Sequence, residues 1–71
     1  MALSFEDRRK IRKELPYGSL SNIAKGLNIS RVSVSKYFSG NSNSNRIEKE
    51  VVDIYIKYKS ELERIKAIVN G

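Results

Sequence analysis

Cations and hydroxyl groups cluster between positions 31 and 39 of this sequence. A helix over residues 31–38 would turn its large apolar side chains to one face and leave five residues outward: Arg31, Val32, Ser35, Lys36 and Ser39. Arginine and lysine can bond guanine O6 and N7 or phosphates, serine can bond either, and valine can contact a thymine methyl. This face therefore predicts a surface for the DNA major groove, read through Arg31, Val32, Ser35 and Lys36. The alternative is a short serine-rich helix whose polar side faces water.

The distribution of charge favours a polyanionic partner. The net charge is +6, and residues 1–46 carry all of the excess, with nine basic and three acidic side chains. Residues 47–71 carry five of each, and no Asp or Glu occurs between Glu14 and Glu48. A surface free of carboxylates is what a polyanion requires, although small proteins are also often basic without a specific ligand.

The residue types that are missing exclude several classes of chemistry. The 71 residues include no cysteine and no histidine, so disulfides, thiolate or imidazole metal sites and His-based acid–base catalysis are not expected. The sequence has no Gly-rich phosphate loop and no catalytic constellation, which predicts a binding protein without enzyme activity, cofactor or metal. No apolar run approaches membrane-spanning length, and the N-terminus lacks a signal-peptide core. A cytoplasmic location is therefore expected.

Two short helices joined by a tight turn would position this polar face. An apolar i, i+3, i+7 stripe predicts a helix over 20–27, with Ser19 as its N-cap. Asn28 tolerates the left-handed conformation that a chain reversal needs. Ser30 stands at the N-cap position of the next helix, and Ala24 is small enough to let the two helices approach closely.

Six positions within residues 20–38 form a pattern: Ala24, Asn28, Ile29, Ser30, Val34 and Ser35. This pattern resembles the helix-turn-helix of bacterial and phage repressors, of the lambda-repressor/Cro and lac-repressor kinds. Asn28 stands where the family usually has glycine, and Tyr37 replaces a smaller aliphatic residue. The resemblance covers about a third of the chain. It implies a double-stranded DNA-binding domain whose second helix of the pair enters the major groove.

The resemblance also implies phosphate contacts near the N-terminus of the first helix of the pair. Serine, asparagine and lysine side chains near that end and in the polar segment 39–45 can bond phosphate oxygens. The residues predicted to do so are Ser19, Ser21, Asn22, Lys25, Ser39, Asn41 and Asn43. For the segment 39–45, which is low in complexity, a solvated loop is the alternative.

A further helix is predicted over 5–15, between a Ser4 cap and Pro16. Its expected core contacts are Phe5, Ile11 and Leu15. The charged run at positions 8–13 would then lie on the solvent side, where it could graze a phosphate backbone.

The longest predicted helix runs from about Arg46 to Val69, capped by Asn45 with Glu48 placed to return the bond. Its apolar residues step by three or four positions throughout and form one continuous stripe. The stripe as far as about Tyr55 is expected to complete the core. The distal part needs another partner, and a second copy of the chain is predicted to cover it. The predicted dimer interface is Tyr58, Leu62, Ile65, Ile68 and Val69. A helix that bends back within one monomer is the alternative.

Together these features predict an all-α fold, a small helical bundle with a helix-turn-helix and a long C-terminal helix. Residues 1–45 would form the DNA-binding core, and residues 46–71 would complete it and mediate dimerisation. The predicted function is sequence-specific binding of double-stranded DNA by a homodimeric transcriptional regulator or repressor of phage or bacterial type, with no small-molecule effector evident. The alternative is a protein–protein interaction module that uses the C-terminal helix. An RNA-binding module is disfavoured, since neither an aromatic sheet platform nor a Gly-X-X-Gly clamp is present.

Overall fold

A computed structural model describes residues 3–71 of the chain, and those residues form helices without any strand. The four helices are α1 Phe5–Glu14, α2 Ser19–Leu27, α3 Arg31–Phe38 and α4 Asn45–Asn70. The predicted all-α fold with a long C-terminal helix is confirmed. Each helix begins and ends within one residue of its predicted position.

Short polar side chains begin and separate the helices as predicted. Ser4 caps α1 and Ser30 caps α3, each hydroxyl accepting a hydrogen bond from the backbone N–H three residues on, at 3.1 and 3.2 Å. Asn28 adopts the left-handed conformation after α2, with φ 56° and ψ 46°. These residues satisfy helix-terminal groups locally, so the turn between α2 and α3 is encoded by its own side chains.

Two predicted N-caps are wrong by one residue. Gly18, with φ 88°, stands at the N-cap of α2, and Ser19 is already helical. Ser44 rather than Asn45 caps α4, since its hydroxyl accepts from the backbone N–H of Ile47 at 3.3 Å. Serine and asparagine are about equally good caps, so local preference alone could not separate Ser44 from Asn45. The predicted return bond from Glu48 is absent as well, because that carboxylate is engaged elsewhere.

The core lies where α2 and α3 pack against each other, against α1 and against the first turns of α4. Ala24 is buried at the α2–α3 contact, as its small size predicts. The buried apolar side chains are Ile11, Leu15, Ile23, Ala24, Val34, Tyr37, Phe38, Ile47 and Val51. Tyr37 and Phe38 meet edge to face with ring centroids 5.5 Å apart, an arrangement that aromatic pairs favour.

Phe5 does not join this core, which corrects the prediction from its position on α1. The side chain is 47% exposed, and its ring covers the turn that follows α3. A Cβ atom at Gly40 would lie only 3.0 Å from Cδ1 of Phe5, and Gly40 has φ +84°. Glycine is therefore needed there both for the backbone conformation and for the close approach of the ring.

The helix α4 extends well beyond the other three. A 26-residue helix is about 39 Å long, and the protein measures 42 × 24 × 19 Å. Ile47 and Val51 are buried, and Ile54 and Tyr58 are half-buried. Further along the same side of the helix, Ile65, Ile68 and Val69 are exposed. The apolar residues of α4 that pack against the core therefore extend only as far as Tyr58.

Candidate nucleic-acid interface

The two faces of α3 differ completely in burial. Val34, Tyr37 and Phe38 have 0 to 1% of their surface exposed, whereas Val32 is 62% exposed. Arg31 and Lys36 are exposed with Val32, and Ser35 is half-buried at the edge of this face. The structure thus brings the four predicted base-reading residues onto one side of a helix whose opposite side is locked into the core.

The start of α3 is held by serine hydroxyls. Besides capping the helix, the hydroxyl of Ser30 lies 3.0 Å from that of Ser33. No acidic residue lies in the first turn, and Lys36 lies in the last. The cations Arg31 and Lys36 therefore extend from both ends of the exposed face without a carboxylate between them.

Three of the four predicted phosphate residues of α2 are accessible. Asn22 and Lys25 are exposed and Ser21 is half-buried. Ser19 is the exception, because it is 5% exposed and its hydroxyl donates to the carbonyl of Pro16 at 2.7 Å. A hydroxyl that is buried and already bonded is not available to an external phosphate, so Ser19 has a structural role.

The loop after α3 is ordered by internal hydrogen bonds. The hydroxyl of Ser39 donates to the carbonyl of Lys36, and the side-chain amide of Asn41 donates to Ser39, both at 3.1 Å. Asn43 accepts a bond from Arg8 at 2.7 Å through Oδ1. All three predicted phosphate residues of this loop are exposed, and these bonds fix their positions beside the C-terminal end of α3.

Arg8 points into the protein, although the charged run at positions 8–13 was expected on the solvent side. It is 5% exposed, and its guanidinium lies 4.2 Å from the centroid of the Tyr37 ring. One terminal nitrogen donates to the carbonyls of Tyr37 and Ser42, at 3.1 and 3.2 Å, and the other donates to Asn43. Arg8 thereby joins α1, the end of α3 and the following loop.

A second buried polar group connects α4 to the same cluster. Oε1 of Glu48 accepts from the hydroxyl of Tyr37 at 2.9 Å and from the backbone N–H of Leu3 at 2.7 Å. The bond from Leu3, followed by that from Tyr37, lowers the pKa of Glu48 despite burial, which acts in the opposite direction. Burial and the bond to Glu48 raise the pKa of Tyr37 to about 12. The carboxylate is thus charged and the phenol neutral across the ordinary pH range.

Glu14, at the C-terminal end of α1, is bonded to α4. Oε2 of Glu14 accepts from the hydroxyl of Tyr55 on α4 at 2.6 Å, and Oε1 lies 3.5 Å from the ammonium of Lys59. The bond from Tyr55 chiefly lowers the pKa of Glu14 and raises that of Tyr55. Residues 19–38 contain three cations and no acid, which favours a positive potential there. Glu50 of α4 lies against α2, since its Oε1 would be 3.7 Å from a Cβ atom at Gly26.

The predicted dimer residues fall on one side of distal α4. Tyr58 and Leu62 are half-buried, and Ile65 is 56% exposed. Ile68 and Val69 are each 76% exposed. At about 100° per residue these positions continue the side of α4 that is buried nearer its start. Four of these residues belong to an apolar surface, here named the distal stripe, of Leu62, Ile65, Ile68 and Val69.

Sequence reasoning missed Arg8, Glu48 and Arg46 as positioning residues. Arg46 donates to the carbonyl of Leu27 at 2.7 Å and so satisfies the C-terminal end of α2. A signal for Arg8 was present, since it shares the i, i+3, i+7 spacing of Ile11 and Leu15. Long side chains with cationic ends are nevertheless rarely buried, and the acceptors of Arg8 lie about 30 residues away in sequence.

The described part of the chain contains neither a metal-ligand cluster nor a membrane-spanning helix. No cluster of three or more His, Cys, Asp or Glu side chains forms within residues 3–71. In the same part of the chain, no helix has both the length and the apolarity needed to cross a membrane. Comparisons with protein-family models, curated proteins and solved structures gave no match.

Proposed function

We propose that this protein is a sequence-specific double-stranded DNA-binding protein, a homodimeric transcriptional regulator or repressor of phage or bacterial type. The observation that carries the proposal is the exposed face of α3. Val32 is 62% exposed between Arg31 and Lys36, neither of which forms a salt bridge within residues 3–71. An exposed valine gains nothing from contact with water, whereas in the major groove it can contact a thymine methyl. The protein would act in the cytoplasm by binding DNA, without enzyme activity. Its side chains would make contacts with DNA rather than carry out a reaction.

In this proposal α3 lies in the major groove and reads base edges. Arg31 and Lys36 donate to guanine O6 and N7, Ser35 bonds a base edge, and Val32 contacts a thymine methyl. The buried face of α3 supports this use, because a helix with Val34 and Tyr37 locked in the core presents its outer side chains in one orientation. Rigid presentation reduces the entropy lost on binding.

Phosphate contacts from both sides of α3 would set its register on the DNA. On α2 the contacting groups are Ser21, Asn22 and Lys25. After α3 they are Ser39, Asn41 and Asn43, in the loop that Arg8 holds. Such contacts position the helix without carrying sequence information.

The distal stripe, together with Tyr58, would pair two copies of the chain. Two α3 helices related by a two-fold axis would then read half-sites about one helical turn apart. Exposed apolar residues at three- and four-residue spacing suit a helix–helix interface between identical chains.

Selection from a random double-stranded DNA pool at near-physiological salt tests this proposal. An enriched inverted repeat is expected, and its spacing would constrain how the α4 helices pair. Enrichment of one half-site would contradict the dimer, and no enrichment would contradict sequence-specific binding altogether.

Two variants then test the role of α3. Arg31→Ala should weaken binding by about 1–3 kcal/mol and relax preference at one base pair. Lys25→Ala, the matched control on α2, should weaken binding about equally on every sequence. If Arg31→Ala also weakened binding equally on every sequence, Arg31 would be assigned to a phosphate contact instead.

A second candidate function rests on the exposure of the distal stripe. The protein could be an interaction module whose stripe binds a different protein, with DNA touched weakly or not at all. The two functions differ in salt response, because phosphate contacts make affinity fall steeply with salt whereas a buried apolar interface is little affected.

A further inference from the structure

A groove between α1 and the C-terminal end of α3 carries a second concentration of positive charge. It has a volume of about 510 Å³ and is lined by Phe5, Arg9, Arg12, Lys13, Phe38 and Ser39. Arg12 also lines a neighbouring cavity of about 400 Å³ that reaches Arg31 at the start of α3. The two cavities share Arg12 and together border α3 at both of its ends. They are here named the α1–α3 groove.

The cations of this groove form no salt bridge with another residue in the described part of the chain. Within residues 3–71, Arg9, Arg12 and Lys13 form no ion pair, and the single salt bridge joins Lys59 to Glu14. Arg9 lies 5.8 Å from the centroid of the Phe5 ring, a contact that orients the guanidinium without neutralising it. No carboxylate lines either cavity.

This arrangement is unfavourable for an isolated helix. Arg9 precedes Arg12 by three residues and Lys13 by four, so like charges occupy neighbouring positions on one face of α1, which destabilises a helix. Glu14, which directly follows Lys13 in sequence, is bonded instead to Tyr55 on α4, whereas Glu6 lines a separate cavity with Arg9 and Lys13. A bound polyanion would relieve the repulsion among these three cations on the side of α1 that faces the groove, where no carboxylate lines the cavity.

We propose that the α1–α3 groove binds phosphate groups of the DNA strand that flanks α3. Ser39 connects the groove to the predicted DNA-binding face, because it lines the groove and also belongs to the outward face of α3. A strand whose bases face α3 would therefore have its backbone beside Arg9, Arg12 and Lys13. The inference rests on the proposed function and adds phosphate contacts from α1 to those of α2 and the loop.

The test compares two triple variants of the full chain that lose the same charge. The groove variant is R9Q/R12Q/K13Q, and the control is K49Q/K57Q/K66Q, which removes three exposed lysines of α4 outside the groove. Binding to a duplex of arbitrary sequence is measured at several NaCl concentrations. All six side chains are exposed, and thermal melting checks that both variants fold.

The groove variant should bind less tightly and with a weaker salt dependence. Each lost phosphate contact should reduce the slope of log K against log salt by about 0.9 and the affinity at about 0.15 M salt by about 5-fold, hence about 100-fold for three contacts. The control should keep nearly the wild-type slope. Equal slopes for the two variants would overturn the groove proposal while leaving DNA binding by the wild type intact.

A second arm separates DNA phosphates from small phosphates. Inorganic phosphate is titrated at constant ionic strength while the backbone amide NMR signals of residues 9–13 and 39 are followed. Saturable shifts combined with an unchanged DNA slope in the groove variant would assign the groove to a small phosphate ligand and overturn the proposal. If the wild type binds no DNA at any salt concentration, the proposed function fails, and the groove proposal fails with it.

Discussion

Arg8 should be the most important polar side chain for stability, and replacing it gives a quantitative test of the buried network. Its three hydrogen bonds contribute on the order of 1 kcal/mol each, and its contact with the Tyr37 ring adds about 1 kcal/mol. The buried Nε atom has no hydrogen-bond partner within residues 3–71, and that unsatisfied group offsets about 1 kcal/mol. Arg8→Ala should therefore lower the free energy of unfolding by about 3 kcal/mol.

A loss of this size is measurable in a protein of 71 residues. Domains of this length have a free energy of unfolding of roughly 4–11 kcal/mol, so the variant should remain folded at 25 °C. Its melting temperature should fall by about 12–24 °C, at about 4–8 °C per kcal/mol. Urea unfolding followed by circular dichroism gives the free energy directly.

Two further variants make the measurement specific. Arg9→Ala, the neighbouring exposed arginine, should change stability by no more than about 0.5 kcal/mol. Arg8→Lys keeps the charge but cannot present the planar fork that reaches two carbonyls and an amide, so it should recover only part of the loss. Equal stability of the Arg8→Ala and Arg9→Ala variants would refute the structural role assigned to Arg8.

Three other measurements test separate contacts. Absorbance titration should show a tyrosine with a pKa of about 12, raised from 10.0. Stability should fall as pH rises between these values, and Tyr37→Phe should reduce this fall, leaving the contribution of Tyr55, whose pKa is also raised. The lowered pKa of Glu48 implies a stabilising contribution that is present above pH 4.5, its ordinary value, and is lost as pH falls through the lower folded-state value. Glu48→Gln should therefore flatten the acid dependence of the urea midpoint, and an unchanged dependence would contradict the Leu3 and Tyr37 bonds. Ile65→Glu should weaken self-association about tenfold or more, equivalent to at least about 1.4 kcal/mol, as measured by sedimentation. Ile56→Glu, similarly exposed but on the opposite side of α4, should leave self-association unchanged; equal effects would exclude the distal stripe as the interface.

Local sequence patterns were sufficient to predict the helices and most of the core. Caps, the positive φ of Asn28 and the spacing of apolar residues act over fewer than about eight residues, a distance that a sequence displays directly. The same spacing predicted that Val34 and Tyr37 are buried and that Arg31 and Lys36 face outward. The candidate face of α3 was therefore identifiable before its surroundings were known.

The errors concern residues whose burial or hydrogen-bond partner is not revealed by residue type. Phe5 has the apolar character of a core residue, but its ring covers the turn at Gly40. Ser19 has the character of a cap and a phosphate ligand, but the carbonyl of Pro16 occupies its hydroxyl. Residue type predicts which contacts a side chain can make. Burial and hydrogen bonds to neighbouring groups determine whether that side chain remains available to a ligand.

The sequence by itself determined an all-α chain, the segregation of positive charge into residues 1–46 and a long C-terminal helix with a continuous apolar stripe. Only the tertiary structure decided that Arg8 points inward while Arg9, Arg12 and Lys13 line a groove beside α3. It also decided that Glu48 and Glu14 are bonded by tyrosine hydroxyls of other helices. The physical reason is that a charged side chain is buried only where fixed acceptors or donors replace its water. Those groups come together through the packing of helices that are distant in sequence.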